Sequence, residues 1–365
     1  MAFNFAQWGN DLYTGQRSYP IIQRRGVWFS IVGLFAAASV LIILLQGGLT
    51  LGIDFRGGSE FTVSGASTTD ELLAEEAVHS VSPGQEVLTS QVGENAIRVQ
   101  TAQLTDKTEL NDVRDALAEA YGVQASEVTS GFIGPTWGAS VSMKALWGTV
   151  VFVLAAVAFM ALYFRAWRMA VAGMIAVLLD IVVSAGVYAV VGWEVTPSTI
   201  IGFLTILGFS LYDKVVVFDK VRENTSTVLD QSRSTYAERA NLAVNQTFVR
   251  SINTSVVALL PVAGILFVGA FLLGAGTLKD LSLSLFVGII AGAASSIFLA
   301  PPLDVVLRMG DKKIKEHTEK VLAAREGLAG EGASEAALAA AAAGTAQLIP
   351  GGHQGQAAQP RRKRR

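Results

Sequence analysis

Asp213 lies inside an apolar stretch, Ser198 to Phe218, that is long enough to cross a lipid bilayer. An ionised aspartate in the middle of such a stretch costs about 2.5 to 3.5 kcal/mol on insertion scales, whereas each Leu, Ile, Val or Phe contributes only about 0.3 to 0.6 kcal/mol in favour. Ionisable side chains in spanning helices usually face the interior of a bundle and mark a path for protons, ions or substrates. Asp213 is therefore the leading candidate for chemistry in this sequence.

Two further ionisable residues are expected at a similar depth, because consecutive spans alternate in direction. Asp180 lies near the middle of the preceding apolar stretch, and Arg250 lies before the next one, on one helical face with Asn253 and Thr254. A buried carboxylate beside an arginine is suited to relaying protons, because a proton removes the negative charge and changes the preferred helix packing. We predict that Asp213, Arg250 and Asp180 form such a relay.

Each of these residues also has a purely structural interpretation. Asp180 and Asp213 are consistent with polar contacts that hold helices together, and Arg250 with a cation that extends toward the lipid headgroups. Lys214 could bind Asp213 or extend in the same way, but adjacent helical residues point about 100° apart, so a direct pair is unfavourable. Asp219 to Glu223 are expected to form the solvated exit of the helix.

The chain of 365 residues is 51% hydrophobic and 16% charged, with a mean hydropathy of +0.45, which is too apolar for a soluble protein of this length. We therefore predict six spanning helices, the first of them a retained anchor because no small-residue cleavage site follows it. The six stretches are Val27 to Leu45, Ala145 to Phe164, Met169 to Val191, Ser198 to Phe218, Ser255 to Leu273 and Leu281 to Leu303.

Lysine and arginine near the span ends set the orientation, because cytoplasmic loops carry an excess of both. They place both termini in the cytoplasm and the segment between the first two spans outside. From Gly47 to Ser140 this segment has four basic and fourteen acidic residues, a net charge of −10, which argues against nucleic-acid binding. The basic residues concerned are Arg17, Arg24, Arg25, Arg165, Arg168, Lys220, Arg222, Arg233, Arg239, Arg308, Lys312 and Lys313.

The outward segment has the patterns of a small domain in the order β-α-β-β-α-β, which is ferredoxin-like. Thr68 or Thr69 offers an N-cap to its first helix, and Gly93-Glu94 a turn between two strands. We interpret it as a binding or mechanical element, because its sequence has no nucleophile–base pair. The predicted elements are Ser59 to Ser64, Thr69 to Ser80, Gln85 to Val92, Asn95 to Thr101, Thr105 to Tyr121 and Ser126 to Ile133.

The sequence thus predicts a polytopic α-helical membrane protein with one α+β domain between helices 1 and 2. Without cysteine, and with three scattered histidines, it has no thiolate site or evident metal centre. No protease motif is present, and we expect no enzymatic activity and no cofactor, with protons as the coupling ion. The expected boundaries are a cytoplasmic segment at 1–26, the first span at 27–46, the outward domain at 47–143, the other spans at 144–308 and a cytoplasmic tail at 309–365.

The tail after Gly310 is rich in alanine and glycine, and is predicted to start helical and to end disordered. Its basic end, Pro360 to Arg365, is suited to contact anionic lipid or ribosomal RNA, or is a plain positive-inside flank. In the last span Gly288 and Gly292 recur at four-residue spacing, which favours close helix approach.

Several motifs together resemble SecF proteins, in the right order over about residues 20 to 310. They follow the first span, precede the second, fill the fourth, precede the fifth and end the sixth. The motif residues are Asp54, Phe55, Gly57 and Gly58; Gly134 and Pro135; Asp213, Asp219, Arg222, Glu223 and Asn224; Asn253 and Thr254; and Ser295 to Pro302.

SecF proteins are the six-span half of the SecDF complex, which is related to RND exporters and accompanies the SecYEG channel. The resemblance implies an accessory subunit in the cytoplasmic membrane of a bacterium that works with SecD, SecYEG and YajC, contacts lipid, and uses the proton motive force to promote export of unfolded preproteins. It implies that Asp213 is the proton-responsive carboxylate, Arg250 its partner and Asp180 a nearby polar group. Tyr212, Lys214 and Leu179 depart from the family pattern, in which Asn, Ser or Thr, and His are common at these positions.

Two other functions remain open. Half of an RND-type small-molecule exporter would share the intramembrane charges, but such exporters carry outward segments several times longer than residues 47–143. A scaffold that stabilises SecYEG without using protons would leave Asp213 with a structural role.

Overall fold

The computed structural model describes residues 5–92, 95–104, 106–164, 166–272 and 276–330. Their contacts divide the chain into two compact units. The first unit comprises the described parts of Met1–Arg24, Lys220–Val249 and Val305–Arg365, and the second those of Arg25–Asp219 and Arg250–Asp304. Several predictions lie outside the described residues: the Gly93-Glu94 turn, the first residue of the helix expected from Thr105, the flanking Arg165, the last residue of the stretch ending at Leu273, and the tail beyond residue 330 with its basic end.

Helices account for most of the described residues. The described residues form α1 (Phe5–Thr14), α2 (Arg25–Leu45), α3 (Ile53–Arg56), α4 (Glu71–Val81), α5 (Lys107–Tyr121), α6 (Pro135–Phe164), α7 (Trp167–Val191), α8 (Pro197–Thr225), α9 (Tyr236–Gly264), α10 (Gly276–Phe298), α11 (Ala300–Met309) and α12 (Lys312–Gly330).

Six of these helices are long and apolar enough to cross a membrane, namely α2 and α6 to α10, so the predicted number is confirmed. α9 continues beyond Pro261 into a π-helical segment, Ile265–Leu272. α6 begins at Pro135, ahead of the expected boundary at residue 144. The difference arises because residues 135–143, in which small and polar side chains interrupt the apolar ones, are compatible with a helix although they do not extend the apolar run.

The segment between α2 and α6 folds into the predicted β-α-β-β-α-β domain. Its strands are β1 (Gly58–Ser64), β2 (Val87–Gln91), β3 (Ala96–Thr101) and β4 (Val128–Ile133), and they form one sheet in the order β2-β3-β1-β4. All three pairings are antiparallel. The helices α4 and α5 pack on this sheet around a core of large apolar side chains that includes Phe61, Val99 and Leu117.

The N-cap of α4 lies one residue after Thr69, the later of its two predicted caps. Asp70 is the N-cap of α4, because its carboxylate accepts a hydrogen bond from the backbone N–H of Leu72 at 3.1 Å. Thr68 and Thr69 therefore do not cap α4. Asp106 caps α5 in the same way, through the N–H of Thr108 at 3.0 Å.

A tight glycine bend joins the first spanning helix to this domain. Asp54 and Arg56 lie in the short helix α3, so they do not share a face as an extended strand would allow. Gly57 and Gly58 follow with φ of 78° and 152°, which L side chains rarely adopt. A Cβ on Gly58 would lie 2.4 Å from the carbonyl oxygen of Thr101. Glycine is therefore required where β1 begins.

The first unit is organised by two buried amide side chains of α9. Asn245 accepts a hydrogen bond from the N–H of Tyr19 at 2.7 Å, and Asn241 accepts one from the N–H of Ile22 at 3.1 Å. Both amide groups also donate to the carbonyl oxygen of Tyr19 at 3.0 Å. These bonds satisfy backbone groups in the turn that follows α1, and so fix the N-terminal segment within this unit.

The helix α12 belongs to the same unit and confirms that the tail starts helical. Arg325 makes two hydrogen bonds to the carboxylate of Glu238, at 2.7 and 2.8 Å, and a third to the carbonyl oxygen of Arg233. Such two-pronged arginine–carboxylate contacts are stronger and more directional than single ones.

The helices of the second unit approach closely where glycine faces a neighbour. A Cβ on Gly288 of α10 would lie 2.1 Å from the side chain of Ile206 on α8, in agreement with the small-residue spacing of the last span. A Cβ on Gly186 of α7 would lie 2.2 Å from the Cβ and 2.8 Å from the Cα of Ser39 on α2. The second contact involves backbone and cannot be relieved by a side-chain rotation alone.

We therefore expect Gly186→Ala to destabilise the protein. Forcing extra atoms into a packed interior typically costs about 1 to 3 kcal/mol, so the thermal unfolding midpoint in detergent should fall. Gly33→Ala on α2 is the matched control, because a Cβ there meets nothing within 4 Å. Equal midpoints for the two variants would contradict the close approach of α2 and α7.

Candidate functional site

A buried ion pair joins α7 to α8. The carboxylate oxygen Oδ2 of Asp180 lies 2.8 Å from the ammonium nitrogen Nζ of Lys214. The Asp180 residue is 3% exposed, and Lys214 is fully buried. Removing a charge from water costs several kcal/mol per ion, and this cost is offset only when the partner charge and further hydrogen bonds are well placed. The pair is therefore stable only with both members present.

Two serine hydroxyl groups complete the surroundings of this ion pair. Lys214 donates to the hydroxyl oxygen Oγ of Ser210 at 2.5 Å and to that of Ser295 at 2.7 Å. Ser210 in turn donates to the carboxylate of Asp180 at 2.6 Å. An ammonium group has three donors, and here all three have partners. Ser210 and Lys214 are four residues apart on α8, which places them on one helical face.

Asp213 has a separate set of partners, because it points about 100° away from Lys214 around α8. It is 2% exposed. One carboxylate oxygen accepts a hydrogen bond from Ser251 of α9 at 3.0 Å, and the other accepts one from Ser296 of α10. Ser295 and Ser296 are neighbours, so α10 serves Lys214 with one hydroxyl and Asp213 with the next. Four helices, α7 to α10, thus meet at one buried polar cluster.

The charges of this cluster do not balance when both acids are ionised. Asp180 and Lys214 cancel each other, and Asp213 leaves a net charge of −1. Among the described residues, no basic side chain forms a salt bridge with Asp213. One proton would bring the cluster to neutrality. A serine hydroxyl can either donate or accept, so Ser251 and Ser296 can bind both forms of the carboxyl group.

The structure places Arg250 differently from its predicted position beside Asp213. The side chain of Arg250 is exposed, and the next residue, Ser251, contacts the carboxylate instead. Consecutive residues of a helix point about 100° apart, and of these two it is Ser251 that is buried and binds Asp213. Asn253 is also exposed, and Thr254 donates its hydroxyl to the carbonyl oxygen of Arg250.

The sequence-based prediction did not find Lys214 or its serine partners. The sequence leaves Lys214 either as a partner of Asp213 or as a cation that extends toward the lipid headgroups, and it assigns no role to Ser210 or Ser251. The available signal was the pair Ser210 and Lys214 at four-residue spacing, together with two consecutive serines, Ser295 and Ser296, in an otherwise apolar span.

The outward motif residues lie where the domain joins the bundle. Asp54 and Phe55 are in α3, and a Cβ on Gly138 of α6 would lie only 2.6 Å from the carbonyl oxygen of Phe55. Gly134 directly precedes α6, which begins at Pro135. Burial raises the pKa of the Asp54 carboxyl, an effect partly offset by the positive charge of Arg98. The close approach of Gly138 to Phe55 places α3 directly against the start of α6.

The motif residues that follow Asp213 lie at the C-terminal end of α8. Asp219, Arg222 and Glu223 are exposed, which agrees with their interpretation as a solvated helix exit. Asn224 donates a hydrogen bond to the side chain of Gln246 at 2.9 Å. None of these residues contacts Asp213 among the hydrogen bonds and salt bridges of the described residues.

A second polar junction, on the outward side, connects the domain to the loop between α7 and α8. Leu51 and Val195 form a parallel β-bridge. The side-chain amide of Gln100 on β3 donates to the carboxylate of Glu194 at 3.0 Å and to that of Glu60 at 3.2 Å. The loop that leads directly into α8 is therefore bound to the domain.

Glu194 gives this junction a dependence on pH. Burial raises the pKa of its carboxyl, and the negative charges of Asp280 and Glu60 raise it further. The hydrogen bond from Gln100 and the positive charge of Arg98 lower the pKa and so offset part of this rise. Because the folded pKa is above the unfolded one, the neutral form is favoured at the junction. The stabilisation is fully present in acid and is lost as the pH rises through the raised pKa.

We predict that the backbone amide hydrogens of Gly52 and Val195, which form the bridge, exchange with solvent more slowly at acid pH than at neutral pH. The comparison is made after correction for the intrinsic pH dependence of amide exchange. Glu194→Gln should abolish this difference and keep the slow exchange throughout. Glu86→Gln is the control, because that side chain is 76% exposed. If Glu194→Gln leaves the pH dependence in place, the junction does not owe it to this carboxyl.

Comparisons with known proteins agree with these features. Residues 112–310 match the family described as protein export membrane protein SecD/SecF, C-terminal, and residues 42–67 match the SecD/SecF GG motif. The protein translocase subunit SecF of Streptomyces coelicolor is 43% identical over 335 residues, which are 90% of this chain and 88% of that protein. The SecF of Mycobacterium tuberculosis strain H37Rv is 41% identical, over 89% of this chain and 75% of that protein.

A solved structure shows the same architecture. The crystal structure of SecDF from Thermus thermophilus, a translocon-associated membrane protein, aligns with a TM-score of 0.69 and 29% sequence identity. The alignment covers 80% of this chain and 39% of the longer SecDF chain.

Proposed function

Because the chain belongs to the SecF family of protein translocase subunits, we propose that it uses the proton motive force to promote the outward movement of unfolded polypeptides. Family membership supports an accessory role in Sec translocation, and the six apolar helices support a multi-pass membrane protein. The proposed location is the cytoplasmic membrane of a bacterium, with both termini inside. The coupling ion would be the proton, and the subunit would catalyse no covalent reaction.

The proposed partner is a SecD subunit. The SecDF relative from Thermus thermophilus is a single chain of which this chain spans 36% at 31% identity. That chain carries a SecF-like part together with a larger remainder, so a separate SecF is expected to associate with a separate SecD. Association with SecYEG and YajC is proposed on the family resemblance.

One observation carries the use of protons: Asp213 is a buried carboxylate that two other helices contact through hydroxyl groups, beside an ion pair that is already neutral. Hydrogen bonds to an ionised carboxylate are stronger than those to a neutral one. A proton on Asp213 would therefore weaken the contacts with Ser251 and Ser296, and would change how α8 packs against α9 and α10.

The helix α8 offers a direct connection from this event to the outward domain. It begins at Pro197, two residues after the Val195 bridge, and Asp213 lies 16 residues further along, about 24 Å at 1.5 Å per residue. A displacement of α8 would reach the loop that holds Glu194 and Val195. We propose that the domain thereby moves with the bundle while it holds the exported chain.

Asp213→Asn tests this function. The amide keeps the size of the carboxyl but cannot exchange a proton, and its oxygen and NH2 can still bind the two serine hydroxyls. In inverted membrane vesicles that carry the complete export machinery, ATP-driven export should continue, whereas the additional export caused by a proton gradient should fall to the level of vesicles without the protein.

Asp115→Asn serves as the control, because its carboxylate is on the surface of the outward domain with 59% of the side chain exposed. It should leave stimulation by the gradient unchanged. If Asp213→Asn assembles normally and retains full stimulation, Asp213 is structural and the protein acts as a scaffold.

A further inference from the structure

Lys214 is unusual among the charged residues of the bundle, because its side chain is fully buried and each of its three donors has a partner. Its partners come from three helices: Asp180 on α7, Ser210 on α8 and Ser295 on α10. Because all three N–H groups of Lys214 already have acceptors, none is available to pass a proton to Asp213. The side chains of Lys214 and Asp213 also leave α8 in directions about 100° apart.

We propose that Lys214 is a positioning residue for proton binding: with Asp180 it forms a fixed neutral pair that exchanges no proton, and it leaves Asp213 as the single exchanging acid of the cluster. This inference rests on the proposed function. It assigns Asp180 the role of a permanent counter-charge, which differs from the relay role that the sequence suggested for it.

The geometry around Asp180 supports this assignment. Its Oδ2 atom receives hydrogen bonds from both Lys214 and Ser210, at 2.8 and 2.6 Å. A proton on Asp180 would leave the ammonium group buried without a counter-charge, which is the costly half of a broken ion pair. A proton on Asp213 removes the one charge that lacks a partner. The cluster therefore favours one proton at one site.

The order of the serines on α10 supports the same division. Ser295 accepts from Lys214, whereas Ser296 donates to Asp213. Ser295 also donates to the carbonyl oxygen of Gly292, so the helix backbone fixes the hydroxyl group that binds Lys214. Because Ser295 is bound to Lys214, the Asp180–Lys214 pair also fixes the position of the adjacent Ser296, whose hydroxyl group binds Asp213.

The test is a set of variants measured for gradient-stimulated export in vesicles over a range of external pH. Asp180→Asn alone and Lys214→Gln alone should each disturb coupling. The double variant Asp180→Asn/Lys214→Gln should restore it, because an amide pair is neutral and can keep hydrogen bonds to Ser210 and Ser295. Restoration of at least half the native stimulation is the expected result.

The pH profile separates positioning from mere structural support. The ionisable groups of the cluster are Asp180 from α7 and Asp213 and Lys214 from α8, and α9 and α10 contribute neutral serines. In Lys214→Gln the cation is absent, so Asp180 and Asp213 are two neighbouring negative charges. Their repulsion favours proton binding, so the pH of half-maximal stimulation should rise. The double variant should return it to the native value, which a loss of folding alone would not do.

Two outcomes overturn the inference. A double variant that assembles normally but shows no stimulation would mean that Lys214 or Asp180 exchanges protons. Infrared titration of the native protein gives a measurement that does not depend on folding of the double variant: of the carboxyl groups of Asp180 and Asp213, acidification should increase only the band that Asp213→Asn removes. A second increasing band that Asp180→Asn removes would show that Asp180 binds protons.

The proposed function has its own independent failure. If Asp213→Asn retains stimulation, the proposed function is wrong, whatever the double variant does. If Asp213→Asn abolishes stimulation and the double variant fails to restore it, the proposed function stands and only the role of the Asp180–Lys214 pair is refuted.

Discussion

The bundle depends on the requirement that charge removed from water must find compensation within the protein. Asp180 and Lys214 satisfy it for each other, and serines from α8 and α10 supply the remaining hydrogen bonds. Removing one member of such a pair costs about 3 to 5 kcal/mol, which is a large part of the stability of many proteins. The pair therefore constrains α7, α8 and α10 together, and Asp213 acts within a framework that is already fixed.

Small residues make this framework possible. Gly292 of α10 faces Ser210 of α8, where a Cβ would lie 3.1 Å from the serine Cβ, and Gly288 faces Ile206 one turn away. Larger residues at these positions would push α10 from α8. Ser295 and Ser296 would then no longer reach the two charged side chains of α8. Packing and electrostatics in this bundle are thus one problem, because short hydroxyl side chains can bind a buried charge only where the helices approach closely.

Local patterns predicted the six helices and the order of the outward domain, because apolar run length and residue alternation are properties of short segments. Asp213 and Asp180 could be identified since a charge in an apolar run is visible in the sequence. Their partners could not, because the direction in which a side chain points depends on helix rotation and on neighbours far away in the chain. The charge of Arg250 and the family resemblance both predict Arg250 beside Asp213, whereas the next residue, Ser251, makes the contact. Lys214 was misjudged for the same reason, since its partner Asp180 lies 34 residues earlier.

The bridge between Leu51 and Val195 has a mechanical consequence for the outward domain. The chain enters the domain from α2 and leaves it into α6, and the bridge, with the Gln100–Glu194 bond, adds a third attachment at the loop before α8. A body hung from two points can swing about the line between them, whereas a third point off that line removes this hinge. Lys279 at the start of α10 adds a further contact, through a hydrogen bond to the carbonyl oxygen of Gln91 at 3.2 Å. The orientation of the domain therefore depends on the relative positions of several helix ends at once.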